Sequence, residues 1–214
     1  MKKYLILFNL RNLSMIKNII SDIGNVLFEF DTSGFIDKNI ETEDKEKFFD
    51  LVFASDNWRL LDKGDLSFED GRNYFLSIFP KYKDILNKLF DSSLTLCLNM
   101  HHNNINILKE YKERGYNIYY LSNMTVETFK CLREKTDFFD KTCIGGIVSA
   151  YEKIIKPNEE IYKLLLNRFN LKAEECLFID DNLDNVNAAI KLGINSFQLK
   201  NMNDMSFKLK NIIK

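Results

Sequence analysis

The sequence of 214 residues has little of several features that mark particular protein classes. Its four cysteines are too scattered for a metal-binding pair and too few for a disulfide scaffold, so we expect reduced thiols. Lysine plus arginine (30) nearly cancels aspartate plus glutamate (31), which leaves no overall basic field to attract nucleic acid or a membrane surface. Pro- or Gly-rich linkers, internal repeats and low-complexity segments are absent. With 45% hydrophobic residues, the chain is typical of one large globular domain, or one domain with an insertion.

The N-terminal segment MKKYLILFNL superficially resembles a signal peptide. Its apolar stretch is short, Arg11 and Asn12 interrupt it, and no small-residue cleavage site follows. We therefore expect neither export nor a membrane span, and we predict a cytoplasmic protein. Met15 directly precedes the first predicted strand, so residues 1–14 are an extension of unknown role, or Met15 is the natural start. A short edge strand or a packed helix is the alternative for this segment.

Histidine is equally scarce, with only His101 and His102 in the chain. No third ligand is spaced with this adjacent pair in a way that suits a metal site. We predict an exposed loop pair and assign it no role.

Residues 32–100 show the pattern of helices rather than strands. The segments DKEKFFDLVFAS, SFEDGRNYFLSIF and KYKDILNKLFDSS carry apolar residues at three- and four-residue spacing, which is typical of amphipathic helices. Ser67, followed by two acidic residues, predicts a helix start. Aromatic residues at helical spacing are usually core, so we expect internal contacts within this segment, although Trp58 could also face a ligand. These contacts are expected from Trp58, Leu60, Leu61 and Phe68.

From residue 103 onward, predicted helices and strands alternate. Helical patterns occupy NINILKEYKERG, VETFKCLRE and EEIYKLLLNRF, and strand patterns occupy YNIYYLSN, CIGGIVS, CLFIDDN and INSFQL. Such alternation predicts an α/β fold, a Rossmann-like, doubly wound parallel sheet with helices on both faces. We expect a core of residues 15–31 and 101–214, with residues 32–100 inserted after the first strand as an α-helical domain. The final KLKNIIK is predicted to be a packed amphipathic helix.

Polar residues follow the predicted strands at four places. They are Asp22, the pair Ser122 and Asn123, Lys156, and the pair Asp180 and Asp181. Each alone fits an ordinary turn or helix cap. The carboxyl ends of parallel strands converge on one crevice, however, so together they predict a single site.

The chemistry of this set is coherent. Three clustered carboxylates repel one another unless they share a cation, and hard oxygen ligands suit Mg²⁺. A lysine, a hydroxyl and backbone amides would hold an anion beside that metal. A phosphoryl group is the anion that uses a metal, a cationic side chain and a nucleophilic carboxylate together.

The order of these motifs resembles that of the haloacid dehalogenase-like hydrolases. The matching residues are Asp22-Ile-Gly-Asn-Val, Leu-Ser122-Asn123, Lys156-Pro, and Phe-Ile-Asp180-Asp181-Asn followed by Asn185. The resemblance covers roughly residues 16–200 and places the helical insertion where subfamily I members carry a cap domain. It is greatest to the branch that includes bacterial α-glucose-1-phosphate phosphatase and the N-terminal phosphatase of soluble epoxide hydrolase.

The resemblance implies a two-step phosphoryl transfer through an aspartyl-phosphate. Asp22 would be the nucleophile and a Mg²⁺ ligand. The backbone carbonyl of Gly24 and the carboxylate of Asp181 would join Asp22 as Mg²⁺ ligands. Asp180 would bind Mg²⁺ directly or through a metal-bound water.

The same resemblance assigns residues that bind the substrate. Ser122 and the amide of Asn123 would hold phosphate oxygens, and Ile23 and Gly24 belong to the same binding loop. Lys156 would neutralise the transferring phosphoryl group and keep Asp22 ionised. Asn185 is expected to orient the last loop of the site.

Two positions depart from the family pattern. Most phosphatases of the superfamily carry a second aspartate, a general acid and base, two residues after the nucleophile, and that position is Gly24 here. Glycine at this place also occurs in the branch named above. Ser21 stands where phenylalanine is usual, which is tolerable if its hydroxyl finds a backbone partner.

Three functions follow as hypotheses. The first is a Mg²⁺-dependent phosphatase for a small phosphorylated metabolite, with a sugar phosphate as one candidate. The second is a metal-independent 2-haloacid dehalogenase, which the acidic pair Asp180 and Asp181 argues against because it would repel an anionic substrate. The third is a catalytically weak regulatory or interaction protein, which Gly24 keeps open. The sequence indicates no oligomeric state.

Overall fold

The structure is a computed structural model that describes residues 16–213. The prediction for residues 1–14, and the question of whether Met15 is the natural start, lie outside the described residues. The strands, in chain order, are β1 (Asn18–Ser21), β2 (Phe28–Phe30), β3 (Leu98–Met100), β4 (Asn117–Ser122), β5 (Cys143–Val148), β6 (Cys176–Asp180) and β7 (Asn195–Gln198).

The helices fall into two groups along the chain. Those before residue 98 are α1 (Thr32–Asn39), α2 (Lys45–Phe48), a π-helical segment (Phe49–Phe53), α3 (Asp56–Lys63), α4 (Phe68–Ile78) and α5 (Lys83–Asp91). Those after it are α6 (His102–Glu113), α7 (Val126–Lys135), α8 (Phe138–Lys141), α9 (Ser149–Glu152), α10 (Glu159–Arg168), α11 (Leu183–Lys191) and α12 (Met205–Ile212). Short 3₁₀ turns lie at Thr42–Asp44, Pro80–Tyr82, Thr95–Cys97, Ala173–Glu175 and Met202–Asp204.

Five strands form one parallel sheet in the order β5-β4-β1-β6-β7. β1 lies at the centre, and the order reverses beside it, so the crevice at the carboxyl ends of the strands opens next to β1. This arrangement confirms the predicted Rossmann-like, doubly wound fold.

The sheet is covered on both faces because its central strands are apolar on both sides. In β1, Ile19 packs into one buried cluster and Ile20 into the other, as the two-residue period of a strand requires. Ile105 of α6 and Leu209 of α12 lie in the cluster on the Ile19 face. Ile161 of α10, with the alanines of α11, lies in the cluster on the Ile20 face.

Helices α1 to α5 lie between β2 and β3, which pair as an antiparallel ribbon. Their buried residues, from Phe35 to Cys97, form a third cluster that is rich in aromatic rings. Ser67 caps α4 by accepting a hydrogen bond from the Asp70 N–H, as predicted. The boundaries 32 and 100 of the inserted domain stay a prediction.

Trp58 is buried in this third cluster, with its ring centroid 5.0 Å from that of Phe53. The expectation of an internal contact was wrong for Leu60, which is 38% exposed. Leu61, one position further along α3, occupies the buried face with Trp58 because three residues make almost one helical turn. The amphipathic pattern predicted the helix but not which of two adjacent leucines faces inward.

His101 is not a free loop residue, since its ring nitrogen Nδ1 accepts a hydrogen bond from the Asn104 N–H at the start of α6. Its neighbour His102 is exposed. Among residues 16–213, no helix is both long and apolar enough to cross a bilayer.

Candidate active site

The predicted strand-end residues converge on one edge of the sheet. Asp22 directly follows β1, Asp180 ends β6, and Asp181 is the next residue. Carboxylate oxygens of these three residues lie within 4.8 Å of one another. Since β1 and β6 are adjacent parallel strands, their register alone brings the three carboxylates together.

Lys156 is the buried cation of this cluster. It lies in the segment between α9 and α10, and its ammonium nitrogen is 2.9 Å from Oδ2 of Asp22 and 2.7 Å from Oδ2 of Asp180. Burial lowers the Lys156 pKa, but the ion pairs with Asp180 and Asp22 outweigh it and leave the pKa raised, so the side chain stays charged. Three carboxylates and one ammonium leave two negative charges uncompensated.

Asp22 is 6% exposed, and its Oδ1 accepts a hydrogen bond from the Ile23 N–H at 2.7 Å. Burial raises the pKa of Asp22 to about 7; Lys156 opposes the rise, and the nearby Asp180 and Asp181 add to it. A cation at the site would favour the ionised carboxylate that a nucleophile needs.

Asp180 is completely buried, and its carboxylate is occupied by donors. Besides Lys156, it accepts hydrogen bonds from the Asn182 N–H at 2.8 Å and from the Asn185 amide at 3.0 and 3.2 Å. A carboxylate has about four acceptor positions, so these bonds use them all. Asn185, expected to orient the last loop, thus holds the Asp180 carboxylate.

Asp181 is less occupied than Asp180. Its Oδ2 accepts a hydrogen bond from the Asn25 amide at 3.0 Å, and no other residue among those described donates to its carboxylate. Burial raises the pKa of Asp181, whereas the bond from Asn25 lowers it. Asn25 was missed as a site residue. An asparagine in a tight turn after a strand was a usable signal in the sequence, because asparagine tolerates the left-handed conformation. In the structure its φ is +50°.

The loop after β1 places Ile23 and Gly24 differently from each other. Ile23 is fully buried, and its N–H is already bonded to Asp22. At Gly24, a Cβ atom would meet no other atom within 4 Å, so the space beside it is open.

The Ser21 hydroxyl donates to the Asp22 carbonyl at 2.7 Å, which supplies the backbone partner that this polar position requires.

Ser122 and Asn123 stand at the carboxyl end of β4, next to β1. Ser122 is 1% exposed. The side chain of Asn123 accepts from the Lys156 N–H at 2.8 Å and donates to the Lys156 carbonyl at 3.0 Å. Asn123 therefore fixes the backbone that carries Lys156, a function of its side chain that the sequence did not indicate.

Asn123 lines two cavities. One, of about 380 Å³, is lined by Lys156, Asn123 and residues of α3, among them Arg59 and Asp62. The other, of about 120 Å³, is lined by Gly24 and Asp62 together with apolar side chains. Asp62 lines both cavities. It was missed in the sequence analysis because nothing in the sequence distinguishes it from the many other acidic residues in helices.

The chain is an α/β protein whose doubly wound parallel sheet carries an acidic cluster and a buried lysine at its switch point. The chain belongs to the haloacid dehalogenase-like hydrolase family, whose sequence profile matches residues 16–193. It is a hydrolase of that family.

Named relatives are similar over most of the chain. The sesquiterpene phosphatase astK of Aspergillus oryzae is 26% identical over 200 residues, which cover 92% of this chain and 96% of astK. The drimenol cyclase drtB of Aspergillus calidoustus is 26% identical over 203 residues, but this match covers only 37% of that longer protein.

Among solved structures, the HAD family enzyme BT-2542 of Bacteroides thetaiotaomicron superimposes with a TM-score of 0.74 at 22% identity, covering 90% of this chain and 98% of that one. Its magnesium complex superimposes with a TM-score of 0.71 at 25% identity, covering 86% and 93%. The predicted family is thereby confirmed, whereas the predicted branch stays a prediction.

Proposed function

We propose that the chain is a Mg²⁺-dependent phosphatase that hydrolyses a small phosphorylated metabolite through an aspartyl-phosphate at Asp22. The observation that carries the proposal is the charge of the site, where the carboxylates of Asp22, Asp180 and Asp181 face the single ammonium of Lys156. A divalent cation neutralises the remaining two charges, and the oxygen-only donor set suits Mg²⁺.

Within this site, Asp22, Asp181 and the Gly24 carbonyl are the residues that would hold the ion. Oδ1 of Asp181, to which no other described residue donates, fits the role of a metal ligand. The Asp180 carboxylate is fully hydrogen-bonded, so it fits the role of a group that orients the metal ligands without binding the ion itself. When bound, Mg²⁺ supplies positive charge beside the phosphoryl oxygens and so stabilises the charge that develops there.

The residues of the chain would then perform two steps. In the first, an Asp22 oxygen attacks phosphorus, the bond to the leaving oxygen breaks, and an aspartyl-phosphate forms. In the second, water attacks the same phosphorus, and inorganic phosphate and the Asp22 carboxylate are released. Lys156 neutralises the transferring group, and the bonds from Asn123 to its backbone keep its ammonium in place.

Phosphate oxygens would be held by the Ser122 hydroxyl and by the N–H groups of Gly24 and Asn123. The Ile23 N–H is already bonded to Asp22, so its part is to orient the nucleophile rather than to bind the substrate directly.

The class of substrate is supported by the smaller cavity beside Gly24. Its lining is mainly apolar and includes Phe30, Trp58, Leu98 and Met124. These side chains suit a phosphate monoester with an apolar part better than a sugar phosphate, which has hydroxyls to satisfy. The name of the relative astK, a sesquiterpene phosphatase, agrees with this preference. The helices of residues 32–100, which supply Trp58, would serve as the cap over this substrate.

The test is phosphate release from p-nitrophenyl phosphate, a sugar phosphate and a sesquiterpenyl phosphate, each with Mg²⁺ and with a chelator. We expect Mg²⁺-dependent turnover that Asp22→Asn abolishes and that the exposed Asp204→Asn leaves unchanged. Turnover by Asp22→Asn at the wild-type rate would contradict the proposed nucleophile.

Two further measurements, halide release and Mg²⁺ binding, distinguish the alternative functions. Halide release from a 2-haloacid without metal would identify a dehalogenase, in which Asp22 displaces halide. Absence of both turnover on any phosphoester and Mg²⁺ binding would favour a regulatory or interaction protein.

A further inference from the structure

The proposed phosphatase site lacks an assigned proton donor for the leaving oxygen. Gly24 has no side chain, although the space beside its Cα is open. The Asp180 carboxylate is occupied by hydrogen bonds, and the Lys156 ammonium is paired with two carboxylates. An alkoxide is a poor leaving group at neutral pH unless it is protonated as it departs, so some other group must supply the proton.

Helix α3 is fixed to the core at the point where Asp62 lies. The Ser149 hydroxyl, directly after β5, donates a hydrogen bond to the Asp62 carbonyl. The carbonyl of Gly64, two residues after Asp62, accepts a hydrogen bond from the Lys153 ammonium at 3.1 Å. The Met124 N–H, two residues after β4, donates to the same Ser149 hydroxyl at 2.9 Å. The end of α3 is thus tied to the short helix α9, which follows β5, and through Ser149 to the loop that follows β4.

The Asp62 side chain is partly buried between the two cavities. Asp62 lines one cavity together with Lys156 and Asn123, and it lines the other together with Gly24. Its carboxylate has no hydrogen-bond or ion-pair partner within residues 16–213, whereas Asp65, three residues further along the chain, pairs with Lys63. A carboxyl group that faces a cavity without a protein partner can bond to a ligand in that cavity.

The charges around Asp62 come from several elements. Lys156 comes from the core, Arg59 and Asp56 come from α3 itself, and Asp184 comes from α11; all of them line the cavity of about 380 Å³. Burial raises the pKa of Asp62 to about 7, and Lys156 only partly opposes this rise. Both the acid and the conjugate base are therefore populated near neutral pH, as a group that first gives and then takes a proton requires.

We propose that Asp62, supplied by the helical cap segment, is the general acid and base that replaces the side chain missing at Gly24. This inference rests on the proposed phosphatase function. In the first step, the Asp62 carboxyl proton goes to the leaving oxygen as the bond from phosphorus to that oxygen breaks. In the second step, the Asp62 carboxylate takes a proton from the attacking water, and the Asp22–phosphorus bond breaks. The cycle returns Asp62 to its protonated form.

The test compares Asp62→Asn with the wild type on two phosphate monoesters that differ in their leaving groups. An alkyl phosphate needs protonation of its leaving oxygen, whereas p-nitrophenyl phosphate releases a stable phenolate. We expect kcat/KM for the alkyl phosphate to fall about 100-fold or more, and kcat/KM for p-nitrophenyl phosphate to fall less than about 10-fold. With p-nitrophenyl phosphate, a burst of p-nitrophenol should precede slow turnover, because loss of the base slows hydrolysis of the aspartyl-phosphate.

Rescue provides a second and independent measurement. Gly24→Asp places a carboxyl group in the open space beside the nucleophile, so the double variant Gly24→Asp/Asp62→Asn should recover at least about 10-fold on the alkyl phosphate. Asp65→Asn is the matched control because it removes a nearby carboxylate of the cap that faces solvent.

Equal losses on both substrates, without a burst and without rescue, would overturn the proposal and leave Asp62 a structural residue. If Asp62→Asn does not fold, Asp62→Ser is measured in the same way. Failure of the phosphatase function itself is a different result, because the wild type would then release no phosphate from either substrate.

Discussion

The ammonium nitrogen of Lys156 lies 2.9 Å from Oδ2 of Asp22, and both side chains are almost completely buried. The ammonium partly opposes the rise in the Asp22 pKa that burial causes, and it places a cation beside any phosphoryl group that reaches the proposed nucleophile. We expect Lys156→Met to lower kcat/KM for p-nitrophenyl phosphate by about 100-fold or more, because loss of one preorganised charge costs about that much.

The matched control for this change is Lys163→Met on α10, whose ammonium forms only surface ion pairs with Glu159 and Glu160. Surface pairs contribute about 1 kcal/mol or less, so this variant should keep its activity and nearly all its stability. Wild-type kcat/KM in Lys156→Met would contradict the proposed role of the lysine.

Binding of Mg²⁺ should stabilise the protein, because the ion relieves repulsion among Asp22, Asp180 and Asp181. At a concentration of about 100 times its Kd, the ion should raise the free energy of unfolding by about 2.7 kcal/mol. We expect Tm to rise on addition of Mg²⁺, and Asp181→Asn to remove most of the rise, since Asp181 offers the free oxygen. Thermal scans with and without Mg²⁺ measure this, and Asp204→Asn should respond as the wild type does. An unchanged rise in Asp181→Asn would exclude it as a ligand.

The main parts of the fold and site were predictable because they depend on strands. Asp22 and Asp180 follow apolar segments whose pattern predicts parallel strands, and the ends of such strands converge wherever the sheet forms. Lys156 could be included because it lies in the connection that follows β5, a strand of the same parallel sheet. The convergence of these residues could therefore be predicted from the hydrophobic periodicity of the sequence alone.

Asp62 could not be found in this way because its position depends on how α3 docks against the core. The docking uses the Ser149 hydroxyl and the Lys153 side chain, which are distant in sequence and are ordinary polar residues by type. The bonds from the Asn123 side chain to the Lys156 backbone are likewise visible only once both loops are in place. Leu60 and Leu61 show the same limit, since a helical pattern does not decide which adjacent apolar residue faces inward.

A side chain at Gly146 in β5 should destabilise the protein. Gly146 lies opposite Tyr120 of β4, and a Cβ at this position would come within 2.3 Å of the Tyr120 carbonyl oxygen and of its ring. The carbonyl belongs to the sheet and cannot move aside, so we expect Gly146→Ala to lower the free energy of unfolding by about 1–3 kcal/mol. Urea denaturation measures this loss. At Gly24 a Cβ meets nothing within 4 Å, so Gly24→Ala should cost less, and equal losses would contradict the steric explanation.

The stability of the protein should depend on pH because Asp62 is buried. Its folded-state pKa is about 7, above the ordinary value of 3.8, so the folded state binds the proton more tightly than the unfolded state. The stabilisation from this group is complete below about pH 4 and is lost as the pH rises through about 7. Asp62→Asn removes the ionisation, so its Tm relative to the wild type should rise between pH 5 and pH 8.

Thermal scans of both proteins at the two pH values test this, with an expected relative gain of at least about 2–4 °C, which corresponds to roughly 1 kcal/mol in a chain of this size. Asp65→Asn is the control, because an exposed carboxylate with a lysine partner has no burial to relieve. A relative Tm that stays constant from pH 5 to pH 8 would show that Asp62 is solvated in the folded state. A solvated carboxylate would have an ordinary pKa and would be a weak proton donor at neutral pH, so this measurement on the protein without substrate bears directly on the catalytic role proposed for Asp62.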